Sequence, residues 1–278
     1  MDYVKSKDII QWIDDENKAA ISEVSHNVLY SCLYELHDSK DYQRVEFLRK
    51  HEYITDSALL SLLKEAFTSF YDDQSNHPLL DILERYGPDS TAKIDNDLDI
   101  LYLCHNTFLP TLKRLDAIGI EIDYEQFLSI SCESGEKFEL DIFNYALDVG
   151  KNFSQECLVK TAHGVLDRLD DLSSDDADTS EWVKAFNRLV DAGLDVNGEL
   201  DGADLETLAE LALVSYPEFF NLILENGLSQ ERLNSFDWQE LINDFGLKEL
   251  AIEHLKTLEA KGFSLPKDDI ESLLEKHG

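Results

Sequence analysis

The amino-acid sequence predicts an all-α fold of stacked helix pairs, a solenoid, because helix ends recur along it at a nearly constant interval. Six glycines each follow an apolar stretch, and successive glycines are 32, 31, 43, 34 and 35 residues apart. Apolar residues stand seven and four positions before every one of them. A gap of three places both on one helix face, and glycine readily adopts the left-handed conformation that ends a helix. The glycines are Gly87, Gly119, Gly150, Gly193, Gly227 and Gly262.

The first elements follow from local apolar spacing and capping signals. Residues 1–22 predict an N-terminal capping helix closed by Ile9, Ile10 and Trp12. The stretches VSHNVLYSCLYEL and DYQRVEFLRKH predict the first helix pair, where HEYIT stands in place of a terminal glycine. ITDSALLSLLKEAFTSF and PLLDILERY predict the next pair, with Asn76 as N-cap and Pro78 in the first turn.

The later elements repeat this pattern of apolar spacing and capping signals. Residues 23–262 as a whole predict about six to seven helix pairs. In GIEIDYEQFL and GKNFSQECLV the next helix is predicted to begin about five residues after the glycine. ADLETLAELAL, starting near Asp204, and YPEFFNLILEN predict another pair. LKELAIEHLKTLEAKG ends at the last glycine. Residues 263–278 predict a C-terminal capping helix closed by Ile270, Leu273 and Leu274.

The one long step between glycines contains LDDLSSDDADTSE, residues 169–181, which has no helical period and predicts an inserted acidic loop. The loop either keeps the chain in solution or docks a basic surface, with Trp182 as an aromatic anchor in an acidic rim. The second reading, joined with the turn after Gly193, defines the candidate partner-binding residues. They are Asp170, Asp171, Asp175, Asp176, Asp178, Glu181, Trp182, Asp195, Glu199 and Asp201.

An acidic residue stands two or three positions before each of the six glycines. Carboxylates are unfavourable at this end of a helix, where the dipole prefers cations. We therefore expect an interaction other than helix stability to explain them. The residues are Glu84, Asp116, Asp148, Asp191, Glu225 and Glu259.

The stretch RLVDAGLDVNGELDGADLETLAELALVSYPEFFNLILENGLS resembles an ankyrin repeat, because LVDAGLDVN matches the family's Leu-Leu-x-x-Gly-Ala-Asp-Val-Asn pattern. The resemblance extends from Ile54 to Gly262, with steps near the ~33 residues of that family. No copy carries the family's Thr-Pro-Leu-His signature. The resemblance implies an ankyrin-like solenoid with short or missing hairpin fingers, whose concave face binds proteins. A helix-pair solenoid of another kind is the neighbouring alternative.

The composition restricts the partners. The 278 residues carry 58 acidic and 24 basic side chains, a net charge of −34, and the charge is −15 up to Glu139 and −19 beyond it. Such a chain repels nucleic acid and anionic membranes and attracts basic proteins. At 43% apolar residues it can bury a core. No apolar stretch has the length of a signal peptide or membrane span. Cys32, Cys104, Cys132 and Cys157 are widely spaced, as in a cytoplasmic protein with reduced thiols.

The sequence predicts no catalytic residue, cofactor or metal. Asp195, Asn197, Glu199 and Asp201 alternate as calcium ligands do, but Leu200 occupies the sixth position, where a calcium loop needs glycine. Cysteine and histidine residues do not show zinc-ligand spacing. The chain has no glycine-rich phosphate loop, nucleophile elbow or dinucleotide fingerprint.

The resulting hypothesis is a cytoplasmic, non-enzymatic protein that sequesters or inhibits a basic protein partner. Its sharpest form is an immunity protein that covers the cationic cleft of a nuclease-type toxin with carboxylates. One alternative is a DNA mimic of phage or bacterial counter-defence, which would occupy a nucleic-acid-binding protein. Another is a scaffolding repeat protein whose acidity serves only to keep it dissolved. We expect no direct binding of nucleic acid or membrane.

Overall fold

A computed structural model describes residues 4–69, 75–87, 93–94, 100, 103, 109–131, 140–172, 180–199, 207–214, 217–238, 241, 250–265 and 270. The chain divides into two compact units, Met1–Asp123 and Tyr124–Gly278. Across the described ranges the chain forms fifteen helices and two strands of two residues each. The all-α fold class is therefore confirmed.

The first unit contains seven helices and both strands within its described residues. Helix α3 packs against α1, α4 and α6, while α6 also packs against α5 and α7. These elements are α1 (Ser6–Asp14), α2 (Lys18–Ser22), α3 (His26–Asp38), α4 (Tyr42–Lys50), α5 (Asp56–Ser69), α6 (Pro78–Tyr86), β1 (Lys93–Ile94), α7 (Leu109–Ile118) and β2 (Glu121–Ile122).

Both helix pairs predicted in this unit are confirmed, as α3 with α4 and α5 with α6. Two local details differ from the prediction. The N-terminal segment forms two short helices, because the Asn17 side chain accepts the Ala20 N–H group and starts a new helix. Helix α6 is capped by His77 instead of Asn76, since the His77 ring accepts the Leu79 N–H group at 3.3 Å.

Two helix ends of the first unit are joined by backbone pairing. Strands β1 and β2 lie parallel, with Lys93 opposite Glu121 and Ile94 opposite Ile122. Each strand follows one of the predicted terminal glycines, at Gly87 and Gly119. Segments one period apart in sequence are therefore neighbours in space.

The second unit contains eight described helices in a regular order of contacts. Helices α8 and α9, α10 and α11, and α12 and α13 pack as sequential pairs. The first helices of these pairs also contact each other in order, and α9 contacts α11. The helices are α8 (Tyr124–Ser131), α9 (Leu140–Val149), α10 (Gln155–Leu172), α11 (Ser180–Asp191), α12 (Leu208–Val214), α13 (Pro217–Glu225), α14 (Gln230–Asn234) and α15 (Leu250–Ala260).

Helix starts in this unit agree with the prediction in two places and differ in a third. Tyr124 and Gln155 begin α8 and α10 five residues after their glycines, as predicted. Helix α12 begins at Leu208, later than the predicted start near Asp204. The reason is a capping box: Thr207 Oγ1 accepts the Glu210 N–H group at 3.0 Å, and Glu210 accepts the Thr207 N–H group at 3.1 Å.

The predicted acidic loop at 169–181 is wrong at both ends. Helix α10 continues to Leu172, and α11 already begins at Ser180. In the sequence, Leu166, Leu169 and Leu172 extend the apolar stripe at steps of three, which favours a continuing helix despite the acids between them. Residues 173–179 lie outside the described residues.

The apolar positions before the glycines form the core, as predicted. Eleven of these twelve side chains are buried, and the other, Leu255, is half-buried. The largest are Phe143, Phe186 and Phe220, each at most 1% exposed. Burying such a side chain contributes about 1.5–3 kcal/mol. The repeated apolar positions therefore belong to the core through which successive helices pack.

Five of the six glycines end their helices with the positive φ angle that the prediction requires. At four of these ends, the N–H group after the glycine donates to the carbonyl four residues before it, at 3.0 to 3.2 Å. This is the Schellman arrangement, and it explains the apolar position four before the glycine. The φ angles are 70° at Gly87, 93° at Gly119, 103° at Gly193, 101° at Gly227 and 91° at Gly262.

Gly150 is the exception, and the prediction of a left-handed residue there is wrong. The positive φ falls instead on Asn152, at 59°. A Cβ atom on Gly150 would lie 2.8 Å from the Ala146 carbonyl oxygen and would also collide with the Phe153 ring. Glycine is needed here because of close packing.

Candidate protein-binding surface

The structure describes only part of the predicted partner-binding set. Asp170 and Asp171 belong to helix α10 and not to a loop, which corrects their predicted setting. Glu181 is exposed and Trp182 half-buried in the first turn of α11. Asp195 and Glu199 are exposed in the turn after Gly193. Asp175, Asp176, Asp178 and Asp201 lie outside the described residues.

Asp195 and Glu199, the two acids of that turn that the structure describes, are engaged by the protein itself. Asp195 Oδ1 accepts the Asn197 N–H group at 2.9 Å, which closes a local turn. The Glu199 carboxylate pairs with the Arg232 guanidinium, and Glu199 also forms an antiparallel bridge with Thr207. These contacts of Asp195 and Glu199 therefore hold the turn in shape.

Sequence reasoning missed a set of amide side chains that tie successive loops of the second unit together. We call Gln155, Asn197 and Gln230 the amide ladder. Gln155 donates to the Gly193 carbonyl at 2.6 Å and accepts the Asp195 N–H group at 2.8 Å. Asn197 and Gln230 repeat this pair of bonds one loop further along. Asn197 donates to the Gly227 carbonyl at 3.1 Å and accepts the Ser229 N–H group at 2.8 Å. Gln230 donates to the Ser264 carbonyl at 2.9 Å and accepts the N–H group of the same residue at 2.8 Å.

One further contact continues the ladder toward the start of this unit. A Glu125 carboxylate oxygen accepts the Ser154 N–H group at 3.0 Å. Each bridging side chain stands three to six residues after one of the six glycines, and this spacing is the signal that could have revealed it. The ladder fixes these loops side by side within the chain itself, and such preorganisation lowers the entropy that a surface loses on binding.

Exposed carboxylates flank the loops that the ladder joins. They lie within five residues of a bridged backbone group, and each side chain is exposed. A row of carboxylates on pre-ordered loops is suited to contact with a cationic surface. The residues are Asp191, Asp195, Glu199, Glu225, Glu231 and Glu259.

Two of the acids that precede glycines have a structural partner in the next repeat. Arg114 pairs with Glu84 at 2.8 Å, and Arg188 pairs with Asp148 at 2.5 Å. Both arginines stand five positions before their own glycine, so the same device is used in each unit. The expected interaction beyond the helix dipole is thus an ion pair between neighbouring helices at these two positions.

The arginine side chains that the structure describes make contacts within the protein. Every arginine whose side chain the structure describes contacts a carboxylate or an aromatic ring of its own chain. Since acids outnumber bases by 58 to 24, the basic side chains are too few to compensate every carboxylate one to one. The contacts are Arg44 with Asp14 and Asp41, Arg49 with Asp56, Arg114 with Asp81 and Glu84, Arg188 with Asp148, Arg232 with Glu199, and Arg85 over the Tyr42 ring at 4.0 Å.

A polar network in the first unit connects α3, α6 and α7. His37 Nε2 lies 2.8 Å from Asp81, which also pairs with Arg114, and Tyr34 Oη lies 3.2 Å from His77 Nε2. Burial lowers the pKa of His77, whose other nitrogen accepts a backbone N–H group, so this ring is neutral. The network joins helices to one another.

The pKa of Asp81 is decided by two opposing effects. Burial alone would raise it, but the hydrogen bonds from Arg114 and His37 outweigh burial and place the pKa below its ordinary 3.8. Asp81 is therefore ionised at neutral pH, and its charge is used within the helix contact.

Two cysteines lie in the core. Burial raises the pKa of the Cys32 thiol to about 12, and Cys157 donates to the Glu125 carbonyl at 3.2 Å. Thiols in such settings are poor nucleophiles, since the thiolate is the reactive form. Cys104 and Cys132 lie outside the described residues.

Within the described ranges, no three His, Cys, Asp or Glu side chains come together as a metal site would require. Among the same residues, no helix has both the length and the apolarity to cross a membrane.

A scan against protein-family models, a search of curated proteins and a search of solved structures each found no match to this chain.

Proposed function

We propose that this protein is a non-enzymatic binding protein that sequesters a basic protein partner. In this proposal its helix pairs form an ankyrin-like stack, and the loops joined by the amide ladder carry the anionic contact surface. The order of helix contacts in the second unit supports the stack, since first helices meet first helices. The proposal places the protein in the cytoplasm, where its thiols stay reduced.

The observation that carries this proposal is that the described arginine side chains are engaged within their own chain. All those with described side chains are held by carboxylates or rings of their own chain. They cannot neutralise a larger set of exposed acids, so the surface keeps a strong negative field. Such a field accelerates encounter with a cationic protein by orders of magnitude at low ionic strength.

The proposed mechanism is occlusion of a cationic cleft. The ladder and the Arg232 contacts hold the acidic loops in place, which lowers the entropy lost on binding. Carboxylates then replace the anionic substrate that such a cleft normally takes. The sharpest form of the proposal is an immunity protein against a nuclease-type toxin, because nucleases bind polyanions.

Affinity capture at low ionic strength, followed by elution with salt and mass spectrometry, tests the proposal. The expected result is one basic protein, released as salt screens the interaction. Several DNA-binding enzymes in the eluate would point to a DNA mimic instead. A partner retained at high salt would point to a scaffold and would contradict the charge-driven mechanism.

A charge-reduced variant sharpens the test. Asp191→Asn, Asp195→Asn, Glu225→Gln and Glu231→Gln together remove four exposed carboxylates beside the ladder. We expect the association rate with the captured protein to fall by about tenfold or more at low salt, with a smaller change in dissociation. The matched control neutralises Asp15, Glu16, Glu23 and Glu46, exposed acids in the other unit. An equal effect of both variants would show that the ladder loops are not the contact surface.

A further inference from the structure

The turn after Gly193 contains the dipeptide Asn197–Gly198, and packing and hydrogen bonding require both residues. A Cβ atom on residue 198 would collide with Val159 and lie 3.1 Å from the Asp195 carbonyl oxygen. The Asn197 amide bridges to the next loop through both of its polar atoms. The structure therefore requires an asparagine followed directly by a glycine at this turn.

This dipeptide carries a chemical liability. The nitrogen of residue 198 can attack the Asn197 side-chain carbonyl carbon, because glycine offers no Cβ to obstruct the approach. A bond forms between that nitrogen and Cγ, the Cγ–Nδ2 bond breaks, and the glycine proton leaves with Nδ2 as ammonia. Water then opens the cyclic imide at either carbonyl, which yields aspartate or isoaspartate.

The folded turn opposes this reaction. The Gly198 N–H group donates to the Asp195 carbonyl at 3.0 Å, so the attacking nitrogen is engaged. Asn197 Nδ2 is held by the Gly227 carbonyl and Asp195 Oδ1, both at 3.1 Å. Arg232 also donates to the Asn197 carbonyl at 2.5 Å, which pins the backbone. The side chain cannot turn toward Gly198 without breaking these bonds.

We propose that Asn197 is a deamidation site gated by this turn: it is stable while the turn is closed and converts when the turn opens. The conversion is irreversible, and its product cannot return to the ladder. A carboxylate has no hydrogen to donate to the Gly227 carbonyl, and it lies beside Asp195, so like charges repel. One opening event can thus permanently uncouple two neighbouring loops. The inference is independent of the proposed partner.

Peptide mapping by mass spectrometry, after incubation in heavy-oxygen water at mildly alkaline pH, measures the reaction at each asparagine. We expect Asn197 in the folded protein to convert at least about tenfold more slowly than in the urea-unfolded chain. In the unfolded chain we expect Asn197 to convert faster than asparagines not followed by glycine. Equal rates in folded and unfolded protein would overturn the gating, and a slow reaction in the unfolded chain would overturn the site.

A pair of variants tests whether this turn is the gate. Arg232→Ala removes the contacts to Glu199 and to the Asn197 carbonyl and should accelerate conversion about threefold to tenfold. Gln230→Ala removes the next rung of the ladder without touching Asn197 and should leave the rate within about twofold of wild type. Equal acceleration by both variants, or none by Arg232→Ala, would overturn the proposal.

The altered side chain itself can be made directly. Asn197→Asp should lower the urea midpoint of the folded protein, whereas Asn226→Asp, at the other Asn–Gly dipeptide, loses only a bond to Leu222 in its own helix. A midpoint for Asn197→Asp equal to that of wild type would show that the product keeps the loops coupled and would contradict the uncoupling.

Discussion

Glu52 shows what one residue contributes to a helix end. It has φ 58° and is exposed, and the next N–H group, on Tyr53, donates to the Leu48 carbonyl at 3.0 Å. The hydrogen bond is the one made at the glycine-terminated helices, but a side chain in left-handed conformation costs about 1 kcal/mol. The segment HEYIT therefore ends a helix as a glycine would, at a penalty.

Glu52→Gly should raise the free energy of unfolding by about 0.5–1 kcal/mol, because relief of this strain exceeds the added flexibility of the unfolded chain. Gly193→Ala, where an added Cβ meets no atom within 4 Å, should lower it by about 1 kcal/mol through backbone strain alone. Urea unfolding followed by circular dichroism measures both. The two substitutions should change the free energy of unfolding in opposite directions, and a stabilising Gly193→Ala would contradict the role of backbone strain.

Asp81 makes stability depend on pH. Its folded pKa lies below the ordinary 3.8, so its contribution is complete above that value and is lost as pH falls through the folded pKa. Asp81→Asn should destabilise the protein at neutral pH by less than about 1 kcal/mol, because the side chain is 39% exposed.

The difference in unfolding free energy between wild type and Asp81→Asn should shrink below pH 3.8. Urea unfolding from neutral to acidic pH measures it, with Glu23→Gln as the exposed control. A difference that stays constant across this range would show that Asp81 acts through shape and not through charge.

At the scale of the elements, packing outweighs the ion pairs. Phe186 is completely buried in α11, whereas Arg188, two residues later, is 36% exposed and pairs with an Asp148 that is 65% exposed. A buried aromatic side chain contributes several kcal/mol, and an exposed ion pair contributes about 0–1 kcal/mol.

Phe186→Ala should therefore destabilise the second unit by about 3–5 kcal/mol and Arg188→Ala by less than about 1 kcal/mol. Thermal and urea unfolding compare the two variants in one helix. Comparable losses would mean that the ion pairs, and not the apolar periodicity, hold successive helices together.

For the whole molecule, the excess of acids sets the response to salt. The net charge is −34, and the excess acidic side chains repel one another most strongly in the folded state, where they are closest together. Salt screens this repulsion and weakens the exposed ion pairs, but the uncompensated acids are far more numerous. We therefore expect salt to stabilise the protein, because the screening of repulsion should outweigh the weakening of the ion pairs.

The melting temperature should thus rise by several degrees when sodium chloride is increased from low to physiological ionic strength. Circular dichroism measures the change, and sucrose at equal osmolarity controls for general solute effects. A falling melting temperature would show that the internal ion pairs dominate the electrostatics.

Helix positions and helix ends were predictable because they depend on neighbouring residues. The apolar pairs before Gly87 and Gly227 lie one helical turn apart, and the glycines adopt the predicted conformation. Predictions failed where a local signal was misread, at His77 and at the capping box of Thr207. At residues 169–172 the acids obscured a continuing apolar stripe.

The sequence by itself determined the all-α class, the ends of five helices at positive-φ glycines, the core face and the surplus of negative charge, since each follows from spacing or counting. Only the tertiary structure decided which acids are held by arginines and which amides bridge the loops. Arg188 and Asp148 are 40 residues apart, and Asn197 and Ser229 are 32 apart. Such partners meet only when consecutive helices pack, because no local spacing rule links side chains across a whole repeat.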